Sequence, residues 1–154
     1  MKAPLSWLKD YVDIDVSAEE LAQKLFSCGF EVEELSYLGE KINRVVVGQV
    51  KSVVPHPDSD HMWICQIDVG EAEPTQIVTG AWNIHVGDLV PVARHKSLLP
   101  GGVKIKKGKL RGLISEGMIC SGEELHVPTE LYPNIEEKGI LVFHEDYPLG
   151  ADVK

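Results

Sequence analysis

Apolar residues change their spacing once along this chain, near Gly39. Before that point Leu5, Trp7, Leu8, Tyr11 and Val12 fall where one side of a short helix or turn would gather them. Ser17 then opens an S-x-x-E pattern, in which its hydroxyl can accept from the Glu20 amide while the Glu20 carboxylate reaches back to the Ser17 amide. Leu21, Leu25 and Phe26 follow at helical spacing, and Gly29 stands where a left-handed residue would end the helix. A helix this short, with one apolar face, needs a packing partner to persist.

After Gly39 the pattern is that of strands. The segment RVVVGQVKSVV, Arg44 to Val54, is rich in β-branched residues, and Gly48 inside it predicts a bend or bulge. Further strands are predicted at 62–69, 76–79, 89–93, 104–107, 118–121 and 140–144. Turn residues separate them: Pro55 and Pro57, Gly70 to Pro74, Gly87-Asp88, Pro100-Gly101-Gly102, and Gly108. Many short strands with Gly/Pro turns predict an antiparallel sandwich or barrel. A small closed barrel needs one strand that bends sharply to serve both halves of its sheet, and Gly48 suits that position.

The 154 residues suffice for one ordinary domain with a small appendage, and 44% apolar with 25% charged residues is a soluble balance. No apolar run approaches the roughly 20 residues that span a bilayer. Polar residues interrupt the N-terminal MKAPLSWLKDYVD, so no secretory signal is expected. Cys28, Cys65 and Cys120 are odd in number and widely spaced, which suggests neither a disulfide framework nor a zinc knuckle, and points to a reduced, cytosolic compartment. The formal charge of −9 argues against a polyanionic partner until its distribution is considered. Residues 89–115 contain no Asp or Glu, yet hold Arg94, Lys96, Lys104, Lys106, Lys107, Lys109 and Arg111. A lysine run is often only a solvated charged loop, but its freedom from acids on an acidic body points toward an anion-binding face.

Catalytic chemistry finds no support. His56, His61 and Cys65, with Asp58 and Asp60 between them, match neither a zinc finger nor an H-E-x-x-H helix, and the flanking Pro55 and Pro57 indicate a tight turn. Cys120 has no base beside it, and there is no P-loop, dinucleotide fingerprint or hydrolase elbow. Binding chemistry is better represented. In GGVKIKKGKLRG an extended strand would set Lys104 and Lys106 on one side and Val103 and Ile105 on the other. Lys107, Lys109 and Arg111 continue the cationic surface; lysines neutralise phosphates as point charges, and Arg111 can grip one bidentately or stack on a base.

Four segments, HPDSDHMWICQIDVG (56–70), IVTGAWNI (77–84), VPVA (90–93) and LPGGVKIKKGKLRGLISEGMICS (99–121), closely resemble the tRNA-binding domain of bacterial phenylalanyl-tRNA synthetase beta subunits. That domain also occurs in methionyl-tRNA synthetases, free-standing tRNA-binding proteins and endothelial-monocyte-activating polypeptide. The opening LSWLKDYVDIDVSAEELAQKLFSCGFEVE resembles the synthetase beta subunit alone. The resemblance implies a mainly β fold: a five-stranded oligonucleotide-binding barrel (OB-fold) with a C-terminal extension over residues 40–154. Residues 1–39 would be a small helical segment, part of a discontinuous α+β domain of the parent subunit.

The resemblance further implies a fragment of an α2β2 enzyme that attaches phenylalanine to tRNA using ATP and magnesium. The active site would lie in the alpha subunit, and the editing site and anticodon-contacting domain in later parts of the beta subunit. The chain itself would hold no catalytic residue, cofactor or metal. Its partners would be tRNA, the alpha subunit and the rest of the beta subunit, in the cytoplasm and away from membranes. The family's RNA-facing positions map onto Asn83, the run Lys104, Lys106, Lys107, Lys109 and Arg111, and Ser115, Gly117 and Met118. Two positions depart from the family: Trp82, which suits either stacking or packing, and His61 in place of a lysine or arginine. Three functions compete: a sequence-tolerant tRNA-binding module, a module that packs within the synthetase, and a free-standing tRNA-binding homodimer, which the first forty residues disfavour.

Overall fold

The structure is a computed structural model that describes residues 1–128, 132 and 135–154. Its first unit, Met1–Tyr37, contains α1 (Leu5–Lys9) and α2 (Ala18–Ser27). Ser17 caps α2 as its sequence predicts: Ser17 Oγ accepts from Glu20 N at 3.2 Å, and the Glu20 carboxylate accepts from Ser17 N at 3.3 Å. Gly29, at φ +88, ends the helix. The Phe30 and Gly29 amides fold back onto the Leu25 and Phe26 carbonyls, the bonding of a Schellman cap. Neither helix has a buried residue, and Trp7, Tyr11, Phe26 and Phe30 are exposed.

The second unit, Leu38–Lys154, is built on β1 (Asn43–Pro55), β2 (Trp63–Asp68), β3 (Thr75–Thr79) and β4 (Leu89–Leu99), antiparallel in the order β3-β2-β1-β4. β1 serves both halves of the sheet, with Gln49 opposite Leu89 of β4 on one side and Asp68 of β2 on the other. Gly48 sits just before this change of partner. A Cβ there would lie 2.6 Å from Ile67 Cγ2 and 2.8 Å from Val92 Cγ2, so glycine is required by the side chains converging from both neighbours.

β4 continues beyond the expected Ala93 to Leu99. Between Ala93 and Leu98 it bulges opposite the single residue Arg44, whose carbonyl accepts from the buried Ser97 Oγ at 2.7 Å. Four short strands follow: β5 (Val103–Lys104), β6 (Gly108–Leu110), β7 (Leu113–Ser115) and β8 (Gly117–Ile119). β5 and β8 pair with the free edge of β4. Glu116 N donates to Gln76 O at 2.9 Å and Val78 N to Ser115 Oγ at 3.1 Å, bringing the chain back against β3. The result is a nearly closed five-stranded antiparallel barrel of the oligonucleotide-binding kind.

Two apolar cores follow from the two faces of β4. Val90 and Val92 join Val50, Cys65, Ile67 and Ile77 inside the barrel, while Ala93 joins Val45, Leu99, Cys120 and Leu141 on the other side. The strand expected at 140–144 does not form among the described residues. Ile140 bridges Ser121, Phe143 bridges Leu89, and later Asp152 bridges Val46. Because its partner changes every few residues, this C-terminal extension never builds a ladder. It occupies the edge of β1 that β2 leaves free, through Val47 N to Ala151 O at 2.9 Å and Val153 N to Val45 O at 3.0 Å. Among the described residues no helix is long and apolar enough to cross a membrane.

Candidate nucleic-acid interface

The basic run is not the single extended strand that its alternation suggests. After the tight turn Pro100–Gly102, where Gly101 and Gly102 have φ of 82 and 80, β5 lasts two residues. Ile105 then turns inward to the second core, donating to Ser97 O at 3.0 Å and accepting from Lys96 N at 2.8 Å. Val103, expected on the same side as Ile105, is 52% exposed. Lys107 N donates to His95 Nδ1 at 3.0 Å, which steers the chain into a β6–β7 hairpin. Leu110 pairs with Leu113 across Arg111-Gly112, whose φ values of 47 and 85 are those of a type I′ turn, the turn that matches the twist of a two-residue hairpin.

This path spreads the cations over a ridge. Lys104, Lys106, Lys109 and Arg111 are exposed, and among the described residues none of them has a carboxylate within ion-pair distance. Arg111 Nη1 donates to the Asp58 carbonyl at 3.2 Å. Lys107 differs: its Nζ lies 3.0 Å from Glu116, and this lysine holds the Glu116 carboxyl below the usual carboxylate range. Arg94 is likewise paired, with Glu71.

The other resemblance-derived positions serve as supports. Asn83 is 7% exposed, and its side-chain amide acts as a peptide group would, donating to Ile140 O at 3.0 Å and accepting from Ile140 N at 2.9 Å. Ser115 is 4% exposed; its hydroxyl accepts from Val78 N and donates to Gly117 O at 2.9 Å. Gly117 is buried because β8 approaches β4 so closely that a Cβ would lie 2.3 Å from Ala93 O. Asn83, Ser115 and Gly117 are thus all buried in this structure. Met118 is half-buried against the second core. Trp82, by contrast, is 64% exposed, and His61 is exposed.

Several residues that shape the ridge carry no sequence signal as binders. Gln76 Nε2 donates to Ile114 O at 2.8 Å and Gln66 Nε2 to Gln76 Oε1 at 3.1 Å, fixing β7 against β3. His56 reaches Leu110 O from the turn after β1. Burial pushes the Cys65 thiol up to about 11 and, with the Glu124 charge, the Cys120 thiol up to about 12. Among the described residues no group of three or more His, Cys, Asp or Glu could hold a metal ion.

A family described as "Putative tRNA binding domain" matches residues 45–152. The phenylalanine–tRNA ligase beta subunit of Clostridium acetobutylicum is 50% identical over the whole chain, and that of Clostridium tetani 46%; the chain spans 19% of the length of each. The methionyl-tRNA-synthetase-related protein of Pyrococcus horikoshii is 21% identical in structural alignment, covering 77% of this chain and 96% of that one at a TM-score of 0.45. With residues 45–152, most of its length, matched by the family, the chain belongs to the tRNA-binding domain family.

Proposed function

We propose that the Leu38–Lys154 unit is a tRNA-binding module of a phenylalanine–tRNA ligase, with Lys104, Lys106, Lys109 and Arg111 touching backbone phosphates. One observation carries this: four exposed cations within eight positions have, among the described residues, no carboxylate in ion-pair range, on a chain of net charge −9. Met118 adds to this surface, Lys107 joins it when released from Glu116, and Asn83, Ser115 and Gly117 support the barrel that carries it. The ATP- and magnesium-dependent charging of tRNA would then occur elsewhere in the enzyme, on the alpha subunit of an α2β2 assembly that also includes the rest of the beta subunit.

The test is titration of the full chain with labelled tRNA over a salt series. Three to five phosphate contacts give a slope of log affinity against log salt of about −2 to −4, at ~0.7–0.9 per phosphate. Lys106→Ala is expected to weaken all tRNAs alike and make the slope shallower by about one unit. The exposed Val103, Leu110 and Ile114 among the cations favour a second reading, a surface that packs within the synthetase. No binding at low salt, or affinity and slope indifferent to Lys106→Ala, selects that second reading.

A further inference from the structure

The β6–β7 hairpin is two strands of three residues, too small to hold its own shape in water. Its β7 strand is held by β3, through Gln76 to Ile114 O and Ser115 to Val78 N. Its β6 strand carries Lys109 and leads to Arg111. Lys107 N on His95 Nδ1 at 3.0 Å ties its start to the barrel, and at its far end Leu110 O faces His56 Nε2 at 3.3 Å, with Arg111 reaching Asp58 O just beyond. We propose that His56 is a positioning residue for RNA binding, a clamp that holds the cationic hairpin in its binding shape.

The ring's environment fixes its role. His56 is 3% exposed between Pro55 and Pro57. The Asp58 N–H points at Nδ1 at 3.0 Å, so Nδ1 accepts and the ring proton resides on Nε2, from which it donates to Leu110 O. The backbone is equally committed: His56 N donates to Met62 O at 2.9 Å and His56 O accepts from Ser59 N at 3.3 Å. A planar ring with an acceptor on one edge and a donor on the other joins the turn to the hairpin. Asparagine can replace only the near atom of this bridge and glutamine only the far one. His56→Asn therefore keeps the acceptor for Asp58 N–H and releases the hairpin, while His56→Gln keeps the reach to Leu110 and releases the turn.

This inference rests on the tRNA-binding reading, and the experiment separates the two. The full chain and its His56→Asn, His56→Gln, Lys106→Ala and Lys109→Ala forms are titrated with unfractionated tRNA over a salt series, with thermal melting and amide exchange at Leu110 to Gly112 alongside. Both His56 forms lose one hydrogen bond and are expected to melt at similarly lowered temperatures. His56→Asn is expected to exchange faster at those amides and to bind about five- to tenfold more weakly at unchanged salt slope, since ordering is lost and charge is not. His56→Gln is expected to retain most of the affinity. Equal losses in the two His56 forms, or none in His56→Asn while the lysine forms weaken, overturns the clamp and leaves the binding surface standing. Lysine forms that bind like the parent overturn both.

Discussion

Ser115 and Asn83 satisfy polar atoms that the barrel would otherwise bury without partners. The Ser115 hydroxyl is the acceptor for the Val78 N–H in a site with 4% exposure. Ser115→Ala removes that acceptor, and a buried donor left unmet costs about 1–3 kcal/mol. Urea denaturation is expected to register a loss in that range; a change under half a kcal/mol would mean that Val78 finds water instead. Nothing near these residues in sequence announces such roles, because the partners lie far along the chain: Val78 is 37 positions from Ser115 and Ile140 is 57 from Asn83. A buried side chain that completes a distant backbone bond and an exposed one that meets RNA can be the same residue type. Only the fold separates them.

Among the elements, β1 to β4 were legible because β-branched runs and Gly/Pro turns act locally, although the register of β1 against β2 shifts between Val50 and Ser52, beyond the expected Gly48. The rest of β4 was hidden by Arg94, His95 and Lys96, which interrupt the apolar run while Ser97 and Leu99 return to the interior. The hairpin was hidden as well, since its turn uses Arg-Gly in place of the Asn-Gly or Asp-Gly that signals a two-residue loop. The cationic character of the segment was plain, whereas its shape was not. One consequence belongs to the Lys107–Glu116 pair beside the hairpin. Glu116→Gln preserves an oxygen for Gln76 N–H and frees Lys107. It is expected to raise tRNA affinity about two- to fivefold and steepen the salt slope by ~0.7–0.9; affinity that stays level assigns Lys107 to structure alone. In the parent chain the folded Glu116 carboxyl titrates below its unfolded counterpart. The small stability from the pair is thus present above the ordinary carboxylate range and is lost as pH falls through the lowered folded value.

For the whole molecule, the three cysteines divide cleanly: Cys28 is exposed, and Cys65 and Cys120 are buried in the barrel's two cores. Alkylation at mildly alkaline pH is expected to modify one thiol in the native chain and three in denaturant, counted by mass spectrometry; early reaction of Cys65 would mean that the barrel opens readily. Both buried thiols titrate higher when folded, at about 11 and about 12 against 9.0. Their share of stability is therefore full below pH 9.0 and declines as pH rises toward the folded values, because only the unfolded thiols ionise there. The seam that closes the barrel has a different kind of consequence. Among the described residues one backbone bond, Glu116 N to Gln76 O, spans it, and the side chains of Ser115, Gln76 and Glu116 add further hydrogen bonds. When those side chains let go, the barrel becomes an open ribbon with two bare strand edges, and such edges recruit further chains. Damage at this seam is expected to lead first to edge-to-edge polymers, which would tie the three polar residues of the closure to the protein's dispersal in water.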